Sequence, residues 1–199
     1  MRRSLLLALL LGTTVPVAAC SSSSPAKDVR KARKEIRADR HGDNLIVNPS
    51  FDAGTRSWVS YPSATAAIRT TSRKHKLGKR SLMATAVSPV PFGVSTGSVV
   101  GYPSRGSRYS LSAWVTSGAF TVGSRATVEL VGMRPNGVSV VLGKAEPRLT
   151  SRWKHVSISS RISRATLVSL SVVILVQRDI VRGATFYVDG VRLVRHLKT

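Results

Sequence analysis

The chain has 199 residues, with 31 lysines and arginines, 9 acidic residues and a single cysteine. One cysteine excludes an intramolecular disulfide, so the fold must rest on its hydrophobic core, or on a core plus a metal. The formal net charge of +22 favours anionic partners such as phospholipid headgroups, phosphate-bearing wall polymers, acidic polysaccharides or nucleic acid. A solvated cationic surface without a specific partner explains the same charge, and both interpretations stay open.

Residues 1–19 have the layout of a secretory signal peptide, in which Arg2 and Arg3 precede a leucine-rich stretch and then small residues. The apolar stretch is far shorter than the roughly 20 residues that span a bilayer. Its ending, Val17-Ala-Ala-Cys20, resembles the lipobox of bacterial lipoproteins, which implies cleavage before Cys20 and lipidation of its thiol. The alternative is an ordinary signal peptide followed by a chance cysteine. We expect an exported, outward-facing protein anchored to the cell membrane by lipid, and export makes nucleic acid an unexpected partner.

Residues 20–43 have the composition of a tether. Four serines follow the cysteine, and a mixed, mostly basic segment with few apolar residues comes next. Such a segment cannot bury a hydrophobic face of its own. It is either a solvated spacer or a segment that rests on anionic headgroups, where each basic residue adds about 1 kcal/mol near the surface.

From Asn44 onward the pattern is that of strands, and we assign residues 44–199 to one domain. Apolar and polar residues alternate in short runs that are separated by turn residues such as Asn136-Gly137. The run Leu167–Val176 is almost continuously apolar, which predicts a strand buried on both faces. Strands at this spacing predict an all-β fold, a two-sheet antiparallel β-sandwich. The predicted strands are Arg80–Ala84, Tyr109–Val115, Ala126–Leu130, Val138–Leu142, Lys154–Ile158, Leu167–Val176 and Ala184–Val194.

Four segments, in order, resemble the family 4/9 carbohydrate-binding modules, which are galactose-binding-like β-jelly rolls. Residues 44–54, followed by Trp58, resemble the opening of those modules, and residues 77–82 resemble a glycine-led strand. Residues 106–115 and 184–193 resemble an inner strand and the closing strand. The resemblance covers nearly the whole domain and implies a jelly roll that binds carbohydrate. The matching residues are mostly framework positions, so they indicate the fold more strongly than the ligand.

The resemblance also implies positions for the sugar contacts. Tyr61 follows Trp58 at the spacing where glucan-binding members place a stacking tyrosine, and Phe92 falls where related modules place a second aromatic residue. Gln177 and Arg178 are expected near the groove, where they could bond hydroxyls or an acidic sugar. Where related modules place a third aromatic residue, this chain has Val138 and Ser139.

The family's structural calcium implies a metal site at the meeting of the first and last strands. By motif match its carboxylate would be Asp189, with a backbone carbonyl near Ser50. Calcium requires six to eight oxygen ligands, however, and the family's second aspartate is here Gly190. Without a metal, Asp189 would be a strand-end carboxylate bonded to backbone amides.

No catalytic arrangement stands out in the domain. A glycosidase needs two carboxylates across the scissile bond, and the few acids of the domain form no such pair in the sequence. His41, His75 and His155 lack metal-ligand spacing. We therefore expect a non-enzyme that binds a cell-wall or extracellular glycan. Two alternatives stay open: an envelope scaffold that uses the same sandwich to bind protein, and electrostatic adhesion to anionic wall polymers.

Overall fold

The computed structural model describes residues 44–163 and 166–196. The predicted signal peptide, Cys20 and the tether lie outside the described residues, so the domain boundaries stay predictions. The described residues form eleven strands, and no helix among them is long and apolar enough to cross a membrane. The strands are β1 (Trp58–Tyr61), β2 (Ala66–Thr71), β3 (Ser81–Ala86), β4 (Phe92–Thr96), β5 (Val100–Gly101), β6 (Arg108–Ser117), β7 (Ala126–Met133), β8 (Ser139–Ala145), β9 (Lys154–Arg161), β10 (Ser169–Val176) and β11 (Thr185–His196).

The strands form two antiparallel sheets, as the alternation predicts. The first, here called the front sheet, has the order β1-β4-β10-β7-β8, and β5 also pairs with β10. The second, the back sheet, has the order β2-β3-β11-β6-β9. The pairs β2-β3 and β7-β8 are consecutive in the chain, whereas the other pairings join strands that are remote in sequence.

The core between the sheets follows from the alternation. In β6 the side chains of Tyr109, Leu111, Ala113 and Val115 point inward and are fully buried. In β10 the core side chains are the even-numbered ones from Leu170 to Val176. The prediction that this strand is buried on both faces is confirmed, because the odd-numbered valine and leucine on its other face are also buried. The resulting all-β sandwich is the predicted fold class.

Four strands lie where the sequence did not indicate any, namely β1, β2, β4 and β5. In β4, Gly93 explains why no alternation is visible. A Cβ atom at this position would come within 2.2 Å of the backbone oxygen of Ile174 in β10. Only glycine fits where the two strands come this close. The residue at this position is therefore set by strand packing, and it interrupts the hydrophobic alternation.

The opening motif of the domain fastens the chain to the last strand. The side-chain oxygen of Asn44 accepts hydrogen bonds from the amides of Ile46 and Leu193, at 3.1 and 2.9 Å. Farther along, the rings of Phe51 and Trp58 are both buried, with their centroids 5.2 Å apart. These motif residues hold the framework together, which agrees with their framework role in the resemblance.

Candidate functional site

The outer face of the front sheet carries the candidate site. Strand alternation turns every second side chain of this sheet away from the core, and the antiparallel register aligns those side chains in rows across the strands. One row runs from Tyr61 on β1 past Gly93 and Leu175 to Thr127. A second row lies beside it, and we call the two rows together the trough. The second row consists of Val59, Ser95, Val173, Glu129 and Lys144.

The residues at the centre of the trough form a floor below the side chains that flank them. Val173 and Leu175 are not part of the main core, yet only 3% and 5% of their surface is exposed. Thr127 and Ser95, their neighbours in the two rows, are also buried. Side chains that point away from the core and are still covered must lie below the residues that flank them. The floor is therefore apolar at its centre, with hydroxyl groups on either side.

Tyr61 stands at one edge of this floor. Its side chain is 43% exposed, and its partner across the strand pair is Gly93, which has no side chain to cover the ring. Val59, in the next row on the same strand, is 56% exposed. An exposed aromatic ring beside an apolar floor has the chemistry that stacks on the C–H surface of a sugar ring. The predicted role of Tyr61 fits this placement.

Charged side chains form the opposite side of the trough. Glu129 is half-buried, and this burial raises the pKa of its carboxyl group, while nearby Lys144 lowers it. The Lys144 ammonium lies 2.8 Å from a carboxylate oxygen of Glu146. This hydrogen bond lowers the pKa of Glu146 and raises that of Lys144. The Glu129 carboxyl group is thus a partly desolvated acceptor for a ligand hydroxyl. The positive charge of Lys144 partly offsets the negative charge of the Glu129 carboxylate.

Gln177 and Arg178 lie at one end of the trough. Together with Thr127 of the floor they line a depression of about 180 Å³. Both side chains are exposed at the end of β10, where the chain leaves the front sheet. Arg125 and Glu146 complete the lining. The structure therefore brings these two predicted residues to the same face as Tyr61, about two strand spacings, or roughly 10 Å, across the sheet.

The prediction for Phe92 is wrong. Phe92 is fully buried, and its ring packs against Phe186 of the back sheet with the centroids 5.5 Å apart. The reason is the parity of β4, because Gly93 and Ser95 face the trough and Phe92 and Val94 face the core. A shift of one residue along a strand moves a side chain to the other face of the sheet. Phe92 supports the trough from below and cannot touch a ligand in it.

The donors around Asp189 do not fit a calcium ion. One carboxylate oxygen accepts hydrogen bonds from the amides of Lys76 and Leu77, at 2.6 and 2.8 Å, and the other accepts one from Gly190 at 2.7 Å. These N–H groups stand where a cation and its further oxygen ligands would have to be. Among the described residues no group of three or more His, Cys, Asp or Glu side chains could hold a metal.

The side chain of Ser50, near which the resemblance implies a backbone carbonyl ligand, has a partner of its own. Its hydroxyl donates a hydrogen bond to Asp52 at 3.1 Å, and the same carboxylate accepts the amide of Lys79 at 3.0 Å. Asp189 and Asp52 thus both hold the segment 76–79 through its backbone. Burial raises the pKa of Asp189 to about 7, against the opposite effect of its three amide donors and of His75.

Sequence reasoning missed four residues of the site: Arg125, Thr127, Glu129 and Lys144. The alternation of β7 indicates that Glu129 and Thr127 share an outward face. It does not indicate whether that face is the trough or a flat exterior, because this depends on which strands lie on either side of β7. Strand order is a long-range property, and no local pattern encodes it.

No known protein-family profile matches the sequence, and no curated protein matches it either. Among solved structures, the chain is similar to the first family 22 module, a xylan-binding domain, of the Paenibacillus barcinonensis protein Xyn10C. The TM-score is 0.63 at 21% identity, over 79% of this chain and 97% of that one. It is also similar to a family 16 carbohydrate-binding module, with a TM-score of 0.58 at 21% identity, over 76% of this chain and 99% of that one.

Matches to catalytic proteins are partial. An arabinose-bound family 51 α-L-arabinofuranosidase aligns with 76% of this chain, but the alignment covers only 25% of the enzyme, with a TM-score of 0.56 at 16% identity. The structures covered almost completely are binding modules without a catalytic domain. The described residues therefore form an antiparallel β-sandwich with the fold of the family 16 and family 22 carbohydrate-binding modules.

Proposed function

We propose that this protein binds carbohydrate in the trough of its front sheet. The observation that carries the proposal is the placement of an exposed tyrosine, Tyr61, beside a buried apolar floor, on a sandwich with the fold of carbohydrate-binding modules. The ligand that best suits this surface is an extended glycan chain lying along the rows of the trough. Two of the similar structures are described as xylan-binding domains, which makes a β-linked polysaccharide the first class to test.

Each part of the trough has a role in this binding. Tyr61 stacks on one face of a sugar ring, and the floor around Leu175 contacts the carbon-bound hydrogens. Glu129 accepts hydrogen bonds from sugar hydroxyls, and its partial burial strengthens those bonds because fewer waters compete. At the end of the trough, Gln177 bonds hydroxyls and Arg178 pairs with the carboxylate of an acidic sugar. The positive charge of the chain adds to the attraction of an anionic cell-wall or extracellular glycan.

The proposed location rests on the pattern of the first residues of the chain. A lipid on Cys20 would hold the protein at the outer side of the cell membrane, and residues 20–43 would act as the spacer between membrane and domain. Fully extended, this spacer reaches up to about 80 Å. Carbohydrate and the membrane anchor are then the partners, and nucleic acid is not expected. The protein acts as a binding module and not as an enzyme.

A scaffold without sugar binding is the second candidate. The specific observation in its favour is that Tyr61 is the one aromatic side chain of the two rows that define the trough, because Phe92 lies in the core. In that case the sandwich would present the same face to another protein. The experiment below separates the two candidates.

The test is a glycan array and a polysaccharide pull-down with the purified protein, at low and at high salt. Tyr61→Ala is compared with Tyr102→Ala, which removes a tyrosine that is 80% exposed beyond the trough. Loss of one stacking ring costs about 1–2 kcal/mol, so Tyr61→Ala should weaken binding roughly 5- to 30-fold, while Tyr102→Ala should have no effect. Absence of binding to every glycan supports the scaffold. Binding that disappears with salt and ignores Tyr61→Ala supports electrostatic adhesion.

A further inference from the structure

A second pocket lies on the outer face of the back sheet, on the other side of the molecule from the trough. It has a volume of about 360 Å³, far more than the roughly 30 Å³ that one water occupies. Strands β2, β3 and β11 form its floor, where Arg69, Met83 and Tyr187 lie side by side in register. The lining residues are Arg69, Thr70, Thr71, Arg73, Met83 and Tyr187.

No nearby carboxylate among the described residues neutralises the positive charge of this pocket. Within the part of the chain that the structure describes, no carboxylate lies within ion-pair distance of Arg69 or Arg73, and the ion pair found is Lys144 with Glu146 on the front sheet. Among the described residues, the guanidinium of Arg69 has one hydrogen-bond contact, with the sulfur of Met83 at 4.0 Å. Asp189 is fully buried and accepts three backbone amides. Two arginines therefore line a single depression that has no acidic partner among the described residues.

The segment that carries Arg73 is held in place from both sides. On one side the Arg73 amide donates to the Thr71 hydroxyl at 3.2 Å, and on the other the amides of residues 76 and 77 are bonded to Asp189. Between these points the Lys74 ammonium donates to the Ser117 carbonyl at 2.7 Å and lies 5.0 Å from the centroid of the Tyr187 ring. The hydroxyl of Ser81 donates to the Lys74 carbonyl. A fixed backbone lowers the entropy cost of ordering the pocket when a ligand binds.

From this geometry we infer that the pocket between Arg69 and Arg73 is an anion site for the phosphodiester group of a polyol- or sugar-phosphate. A guanidinium group binds phosphate through two parallel N–H···O bonds, and two such groups on different segments suit a tetrahedral oxyanion better than a planar carboxylate. The threonine hydroxyls supply further donors. Met83 and Tyr187 form an apolar floor for the carbon atoms on either side of the phosphate.

This site is independent of the sugar trough. It lies on the opposite sheet, and none of its residues belongs to the trough. A molecule with both sites could hold a glycan on one face and a phosphate-bearing chain on the other. The phosphodiester could belong to a wall polymer or to a phospholipid headgroup, because the chemistry of the contact is the same.

The test measures amide chemical shifts and binding heat for the purified protein titrated with inorganic phosphate, glycerol phosphate and a soluble poly(glycerol phosphate). Vesicles of phosphatidylglycerol form a separate arm. The variant is Arg69→Gln with Arg73→Gln. The matched control is Arg134→Gln with Arg182→Gln, which removes the same charge at two exposed positions outside the pocket. Tyr61→Ala serves as a third protein, so that failure of the sugar site and failure of this site can be told apart.

We expect saturable shifts around Tyr187 and the segment 70–74, with affinity at least 10-fold weaker in the Arg69 and Arg73 variant. The control pair and Tyr61→Ala should stay within 2-fold of the unmodified protein. Binding of the polymer but not of the vesicles assigns the site to a soluble or wall polymer, and the same variant-sensitive binding of vesicles assigns it to headgroups. No saturable shift with any phosphate probe, or an equal loss in both arginine pairs, would overturn the inference.

Discussion

Replacing Asp189 by asparagine tests how one buried carboxylate fastens the segment 76–77 to the back sheet. Asp189 is fully buried, and its two oxygens accept three backbone N–H groups. Asparagine has a single oxygen. Placed toward Lys76 and Leu77 it keeps two of these bonds, but its own NH₂ group then faces the amide of Gly190. One buried N–H is left without an acceptor, which costs about 1–3 kcal/mol of folding stability.

The cost depends on pH, because burial raises the pKa of Asp189 to about 7 from an ordinary value of 3.8. Between these two values the folded protein binds a proton that the unfolded chain has released, so stability falls as pH rises through this window. From pH 4.5 to pH 8 this difference amounts to about 3 kcal/mol. Asparagine does not titrate, so the variant lacks this decline. We expect Asp189→Asn to be less stable than the unmodified protein at pH 4.5, and equal to it or more stable at pH 8.

The assay is urea unfolding followed by tryptophan fluorescence at both pH values. Asp179→Asn is the control, because Asp179 is exposed and its positive φ of 54° suits asparagine. It should change stability by less than about 0.5 kcal/mol at either pH. If Asp189→Asn lowers the free energy of unfolding by the same amount at pH 4.5 and at pH 8, then burial does not raise the pKa of Asp189.

Three further substitutions test other parts of the structure. Tyr109→Phe should leave the free energy of unfolding unchanged or raise it by about 1 kcal/mol, because the buried Tyr109 hydroxyl has no partner among the described residues. A loss above about 1 kcal/mol in thermal unfolding would contradict this. Gly93→Ala should lower the free energy of unfolding by more than about 4 kcal/mol or prevent folding, because the new Cβ would meet the Ile174 carbonyl of β10 at 2.2 Å. Near-normal stability would show that β4 and β10 can move apart. Lys144→Met should raise the pKa of Glu129 further, since Lys144 lowers this pKa in the unmodified protein. An unchanged or lower pKa in a carboxyl NMR titration would show that the two groups do not interact.

Alternation made most of the fold predictable from the sequence. The run from Tyr109 to Val115 shows it clearly, because Tyr109, Leu111, Ala113 and Val115 all face the core and the residues between them do not. The apolar run before Gln177 also predicted a strand buried on both faces. The short strand β1 was missed because four residues give too little pattern, and β4 was missed because Gly93 interrupts it.

The site was less predictable than the fold. Tyr61, assigned by its distance from Trp58, lies on the outer face of the front sheet, whereas Phe92, assigned by motif position, lies on the core side of β4. The alternation of β7 indicates that Glu129 points outward, but strand order decides whether an outward side chain lines a trough. Asp189 was located correctly at the last strand, but two of its three amide partners come from a segment more than 110 residues away.

The most direct test of sugar binding in the trough is an amide NMR titration of the purified protein with the glycan that binds best on the array. Binding in the trough should shift the amide signals of residues 59–61, 93–95, 127–129 and 173–175, and leave those of residues 69–74 of the back sheet unchanged. Shifts confined to the back sheet or to the loops, or no shifts with any glycan, would contradict it.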